Sequence, residues 1–241
     1  LVTVPTNIQE KTPILKDAKV KNVWAGPTNT FILYEDNRLW AAGSNSFGTL
    51  GQGNTNAYEN FVEIKIDGID NNNIENIYLA SISTNYHGSV IIKCNNGKVY
   101  AAGSNNYGNF GIGVSQQVNS RFIELSKENE IWSKAQIIYN EGIRSYIITN
   151  EGKLYGAGYN LSGQLGLGHT NNVMTLTKIA ENVKDVKNVS EAKMIFLKND
   201  GYIYMSNNNG NIDKLNGIHA EDIEFLSNSI IVSNKKMYNI G

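Results

Sequence analysis

Residues Gly43–Gly53 read GSNSFGTLGQG, and the same eleven-residue pattern returns as GSNNYGNFGIG over Gly103–Gly113 and as GYNLSGQLGLG over Gly158–Gly168. All three fit G-x-N-x-x-G-x-[Leu/Phe]-G-x-G, with Gly43, Asn45, Gly48 and Gly51 answered by Gly103, Asn105, Gly108 and Gly111 and then by Gly158, Asn160, Gly163 and Gly166. Three residues before each first glycine stands an aromatic, in the pairs Leu39-Trp40, Val99-Tyr100 and Leu154-Tyr155. Those aromatics are 60 and 55 positions apart. Self-similarity at such a period signals an array, a solenoid or a propeller before any local propensity is weighed.

Working outward from the motif completes the unit. Two fainter copies follow in Ile203-Tyr204, with Asn207 and Asn209 after it, and Met237-Tyr238 with Gly241. Ahead of each aromatic pair lies a polar turn, such as Asn95-Asn96-Gly97 or Asn150-Glu151-Gly152. Asn, Asp and Gly supply the positive φ that tight hairpins require. Ahead of each turn runs an apolar stretch: Phe31-Ile32-Leu33, Val90-Ile91-Ile92, Tyr146-Ile147-Ile148, Met194-Ile195-Phe196 and Ile230-Ile231-Val232. Short apolar runs bounded by turn signals read as buried strands. A mixed strand (Val20/Val23, Ile74/Ile77, Ala135/Ile138, Val183/Val186, Ile223/Phe225) precedes that one. A further strand (Pro13-Ile14-Leu15, Phe61–Ile64, Phe122–Leu125, Leu176–Ile179, Ile212–Leu215) opens each unit. No amphipathic helix separates them. Five units of four strands, about 13–53, 61–113, 120–168, 174–210 and 211–241, predict an all-β fold: a β-propeller of four-stranded blades in one repeat domain.

The glycines are read as architecture. The chain must leave one sheet, turn twice and pass close to the next, which glycine permits, while Leu50, Phe110 or Leu165 plugs the seam and the Asn bonds nearby backbone. A phosphate cradle is excluded, because no Lys-Ser/Thr pair and no helix start follows the glycines.

The motif resembles the regulator of chromosome condensation repeat, an apolar-aromatic pair followed by G-x-N-x-x-G-Q-L-G-x-G. Gly158–Gly168 matches it in full; the other two copies replace the Gln by Thr49 and Asn109. The resemblance covers about Pro13 to Gly241 and implies a propeller, typically of seven blades. Five units in this chain then suggest either an arc of a larger ring or a smaller ring with degenerate closing blades, and a segment of a longer polypeptide is expected. The resemblance also implies a Gly-Gly-x-His-Ser/Thr stretch between second and third strands. The matching segments are Gly26–Thr30, Tyr86–Ser89 and Gly142–Ser145, and His87 alone keeps the histidine. No long inserted loop of the kind used for guanine-nucleotide exchange is evident.

Composition narrows the function further. The chain has 241 residues and a formal net charge of −1, so no global field draws it to nucleic acid. Abundant Asn, Lys and Ile suggests an AT-rich bacterial genome. Cys94 is the single cysteine, which rules out an intrachain disulfide or a cysteine metal site. No apolar run approaches the ~18 residues of a membrane span. His87, His169 and His219 fall at different offsets in different units, and no G-x-S-x-G elbow occurs. Asp67–Asn73 is rich in oxygen ligands but lacks the spacing and closing Glu of a calcium loop. No cofactor, metal or catalytic set is expected.

Function is therefore expected in the variable connectors, where recognition residues concentrate on a rigid scaffold. Tyr58, Tyr86, His87, Tyr139 and Arg144 are the candidate partner-binding residues, since aromatic and Arg anchors dominate interface energetics. The expectation is a non-enzymatic recognition module that binds a protein or glycan through propeller loops, on a bacterial surface or phage-like particle. Two other classes compete with it. One is a regulator of an enzyme, as a small-GTPase exchange factor or a β-lactamase-inhibitor-like propeller; the other is a structural spacer in a larger assembly.

Overall fold

A computed structural model describes residues 17–80, 88–190, 193–219, 224–227, 230–233 and 236–239. The first sheet holds β1 (Val20–Ala25), β2 (Asn29–Tyr34), β3 (Leu39–Gly43) and β4 (Tyr58–Ile64) in sequence order, every neighbour antiparallel. The second repeats this with β5 (Ile74–Ala80), β6 (Ser89–Cys94), β7 (Val99–Asn105) and β8 (Gln116–Glu124). The third has β9 (Ala135–Asn140), β10 (Arg144–Thr149), β11 (Leu154–Gly158) and β12 (Val173–Ala180). The fourth has β13 (Val183–Ser190), β14 (Lys193–Lys198), β15 (Tyr202–Ser206) and β16 (Ile212–His219). The last described sheet has three strands, β17 (Glu224–Ser227), β18 (Ile230–Ser233) and β19 (Lys236–Asn239). The architecture is all-β, as the repeat predicts.

The sheets are offset from the sequence units by one strand. The strand expected to open a unit is instead the outer, fourth strand of the sheet before it: Phe61–Ile64 lies in β4 beside β3, and Leu176–Ile179 lies in β12 beside β11. Adjacent strands joined by a loop pair more readily than strands separated by a crossover. The expected strand at Pro13–Leu15 lies outside the described residues.

Three hydrophobic clusters fill the seams between the first four sheets. Phe31, Leu39 and Leu50 pack with Ile77, Val90 and Ile92 across the first seam. Phe110 packs with Trp132, Ile147 and Leu176 across the second, and Tyr146 and Leu165 with Val186, Met194 and Phe196 across the third. Leu50, Phe110 and Leu165 are all fully buried, so the plugs predicted from the motif are in place. The connector after β8 departs from the all-strand expectation: it forms a helical turn, α1 (Leu125–Glu128), and a 3-10 turn over Glu130–Lys134. That turn drives Trp132 into the seam, where its Nε1 donates to the Phe110 carbonyl at 2.9 Å. Cys94 is buried in the first seam, and burial pushes its thiol up to about 11.

Candidate recognition face

The glycine motif makes two consecutive β-turns. Gly48 N donates to Asn45 O at 2.8 Å and Gly51 N to Gly48 O at 2.9 Å; the pairs Gly108/Asn105 and Gly111/Gly108, then Gly163/Asn160 and Gly166/Gly163, repeat the pattern at 2.8–3.0 Å. The asparagine then staples the whole loop. Asn45 Oδ1 accepts from Leu50 N at 2.8 Å, Asn105 Oδ1 from Phe110 N at 2.9 Å and Asn160 Oδ1 from Leu165 N at 2.8 Å. Their amide nitrogens donate nine residues onward, to Asn54 O, Val114 O and His169 O. This reach is longer than the local Asx turn expected from the residue type. The fourth copy is shorter: there the carboxamide of Asn207, rather than Asn209, accepts from Asn209 N and Asn211 N.

The first two loops cross to the outer strand of the following sheet, and the third reaches the residues just before such a strand. Gly53 N donates to Ser120 O, Gly113 N to Met174 O and Gly168 N to Gly210 O, at 2.6–2.8 Å. The approach is close enough to exclude any Cβ at the middle glycine. One built on Gly108 would lie 2.4 Å from Met174 Sδ, and one on Gly48 2.4 Å from Ser120 Cα. Positive φ at both glycines (78° and 76°) reinforces the requirement.

The alternation of strand directions gathers these loops at one end of the molecule. The loops leaving β3, β7, β11 and β15 share that end with those joining β1 to β2, β5 to β6 and β9 to β10. Ser44 N donating to Thr28 O, Ser104 N to Gly88 O and Tyr159 N to Ile143 O tie the two sets together. The two-strand turns Asn95-Asn96-Gly97 and Asn150-Glu151-Gly152 lie at the other end.

Against this frame the five candidate residues separate. Tyr58 begins β4 at the loop end, half-buried, its hydroxyl accepting from Asn54 Nδ2 at 2.9 Å. Tyr139, on the inner strand β9, is half-buried against the third seam; burial and then the charge of Glu141 raise its phenol above the ordinary value. Tyr86 and His87 lie outside the described residues. Arg144 is not the exposed loop anchor that its place after Gly142 suggests. It is the first residue of β10, 2% exposed, with its Nε donating to Glu141 Oε2. Glu141 is also bonded to the Asn188 side chain; burial raises its carboxyl, and the guanidinium opposes that shift.

Register explains the correction. Asn29, Ser89 and Arg144 lie opposite Gly43, Gly103 and Gly158, so they occupy one equivalent position, and all three are buried. The histidine position of the resembled pattern is therefore Ser89 in the second sheet, two residues beyond His87. Each of these residues works inside the scaffold. Asn29 Nδ2 donates to Thr49 Oγ1 at 3.3 Å, and Ser89 Oγ to Asn140 Oδ1 of the next sheet at 2.9 Å. Asn140 in turn donates to the carbonyls of Tyr78 and Ser89, both at 3.3 Å.

Sequence reasoning passed over a second set of side chains on the same end. Phe47, Tyr107 and Tyr159 are half-buried within or beside the glycine motifs. Tyr107 and Tyr159 meet edge to face across the second seam, centroids 5.1 Å apart. Leu161 and Val114 stand 57% and 55% exposed there. Their signal was present in the motif's variable positions, which were read only for architecture. Among the described residues no group of three His, Cys, Asp or Glu is placed to hold a metal ion, and no helix is long and apolar enough to cross a membrane. His219 Nε2 lies 3.0 Å from Asp200 O, and its ring meets Tyr202 edge to face.

No protein-family model matches the chain. The human X-linked retinitis pigmentosa GTPase regulator is 28% identical over 148 residues, which is 61% of this chain and 14% of that protein. An RCC1 repeat-containing protein of Dictyostelium discoideum is 25% identical over 195 residues, 77% of this chain and 39% of that one. Among solved structures, Prp20p from Saccharomyces cerevisiae, described with its binding to Gsp1p and histones, superposes with a TM-score of 0.64 at 14% identity. That match covers 92% of this chain and 58% of Prp20p. The chain thus spans well under two thirds of the length of these proteins.

Proposed function

We infer, from a chain whose fold is that of the RCC1-type β-propellers, that it is a non-enzymatic recognition module whose partner is a protein. The observation that carries this reading is the gathering of the loops at one end of a scaffold locked by buried staples. Such a scaffold holds a binding surface in place before the partner arrives, so little ordering entropy is lost on association. The reading is supported by the names of the similar proteins, which describe a GTPase regulator and, for Prp20p, binding to Gsp1p and histones. Display on a bacterial surface or a phage-like particle is a narrower form of the same proposal, and a glycan in place of the protein is its competitor.

Affinity capture with the wild-type chain and with Leu161→Asp tests the reading. Leu161 is exposed, so the substitution leaves the core untouched. The expected outcome is a protein held by the wild type and lost by the variant. A partner held equally by both would remove recognition from this end. Relatives named for GTPase regulation favour one second reading, nucleotide exchange, and acceleration of GDP release from a captured GTPase would establish it in place of passive binding.

A further inference from the structure

The ends of the molecule differ in charge to a degree that the near-neutral total conceals. Neither 44–57, 104–119, 159–177 nor 206–212 contains a single Asp, Glu, Lys or Arg. An ordinary domain surface carries roughly a quarter to a third charged side chains. These stretches make up the loops leaving β3, β7, β11 and β15, and their exposed positions are filled by Ser46, Thr55, Asn56, Asn106, Thr170 and Asn171 among others. The charges nearest to them sit at the margins. Glu141 and Arg144 are paired beneath the face, and Glu59 and Arg121 stand on outer strands at its rim, with Arg121 against Gly53. In the fourth sheet Lys193 begins β14 at this end, and exposed Asp213 accepts from Asn207 Nδ2 at 2.8 Å. His169 follows the third glycine motif, with its Nδ1 accepting from Asn171 N at 3.2 Å. The opposite end is dense in ions: Arg38–Asp36 at 2.7 Å, Lys134–Glu130 at 3.2 Å and Lys153–Glu151 at 2.5 Å all lie on its turns and connectors.

Resting on the reading of this end as the recognition face, we propose that its partner is a protein surface without net charge, gripped by Tyr107, Tyr159, Leu161 and Val114 within a ring of Asn, Ser, Thr and Gly. An ionic partner would leave its own charges desolvated against loops that carry no counter-charge, and burying an unpaired charge is costly. Tyr, Ser, Gly and Asn are also the residues that protein-binding loops of antibodies favour, because aromatic rings add contact area at low entropy cost and small polar side chains adapt their hydrogen bonds. The ring geometry favours a protein over a sugar. Tyr107 and Tyr159 are 76° apart and meet edge to face, so one ring covers the other's face, whereas a pyranose stacks on a ring face laid open and flat. The exposed aliphatic side chains of Leu161 and Val114 at the same end add apolar surface of the kind that protein hot spots use.

The test is selection of a displayed library of random peptides on the immobilised 241-residue chain. Selected peptides are then measured against the wild type, Leu161→Asp, Asn106→Lys and, at the other end, Glu151→Lys. All three positions are exposed, and thermal melting confirms that each variant is folded. The proposal expects uncharged selectants whose affinity changes less than about twofold between about 50 and about 500 mM salt, since screening acts only on charge. Binding falls by about tenfold or more in Leu161→Asp and Asn106→Lys and is unchanged in Glu151→Lys. Charged, salt-sensitive selectants, or selectants lost only in Glu151→Lys, overturn the uncharged-partner inference and leave the recognition module standing at another face. Neutral oligosaccharides bound by the wild type and lost in Leu161→Asp, with no peptide selected, overturn the protein partner. No selectant and no oligosaccharide overturns both the inference and the recognition reading.

Discussion

Replacing Asn105 by alanine removes a staple and nothing else, and its cost follows from the two bonds lost. Asn105 is 1% exposed; its Oδ1 accepts from Phe110 N at 2.9 Å and its Nδ2 donates to Val114 O at 2.9 Å. Phe110 is fully buried in the second seam. Its N–H therefore finds no water when the acceptor goes, and an unsatisfied buried donor costs about 1–3 kcal/mol. Val114 is 55% exposed, so its carbonyl turns to solvent and adds about 0.5 kcal/mol or less. The sum is about 1–3.5 kcal/mol, which for a chain of this size lowers Tm by about 2–14 °C. Urea unfolding, with the denaturant slope unchanged, reads the loss directly. Asn106→Ala is the matched control: its side chain is exposed, and its expected effect is within about 0.5 kcal/mol. A loss below about 0.5 kcal/mol for Asn105→Ala, or equal losses for the two variants, would refute the view that the asparagine holds the loop.

Two further outcomes are expected. Gly108→Ala carries both the strain of φ 78° and a collision with Met174, while Gly168→Ala at φ 79° meets nothing within 4 Å; the first destabilises by more than about 2 kcal/mol and the second by about 1 kcal/mol, and equal melting shifts would show that the close approach does not matter. Glu141 has its carboxyl raised above the ordinary 4.5, by burial first. A raised folded value means that its contribution is fully present below the unfolded value and is lost as pH rises through the folded one. The stability of the wild type relative to Glu141→Gln should therefore fall as pH climbs from about 4.5, and a difference that grows with pH would reverse the assignment.

The glycine motif made most of the architecture legible, because its residues are constrained by backbone geometry that side-chain identity reveals directly. Gly48, Gly108 and Gly163 were read as turn and close-approach positions, and their positive φ and their distances to Ser120, Met174 and Gly210 bear that out. The apolar triplets before each hairpin lie in β2, β6, β10, β14 and β18 as expected. What the sequence hid is pairing partnership. Phe61–Ile64 carries the same alternation whichever sheet it joins, so the one-strand offset emerges only from the ladder. Arg144 was hidden by its type: an Arg after a Gly reads as a loop residue, yet its spacing before Tyr146 equals that of Asn29 before Phe31 and Ser89 before Ile91. Trp132 was concealed by a polar neighbourhood whose 3-10 turn has no periodic signal. The uncharged end was legible throughout; its evidence is what the loops omit, and motif reading attends to what is present.

The stapled loop also bears on how such a chain lengthens over generations. Because Gly43–Gly53 and Gly103–Gly113 present nearly the same surface to the strand on which they rest, a genetic exchange with both breakpoints inside these segments joins the start of one to the end of the other. The product gains or loses the outer strand of one sheet and the three inner strands of the next, and every surviving seam still meets a glycine turn, a buried plug and an outer strand of the accustomed shape. Breakpoints placed at sheet boundaries have no such tolerance, since they part a loop from the neighbour that it covers. The motif is thus the natural splice point for inheritance by duplication, and ring size becomes the property that such lineages alter most readily.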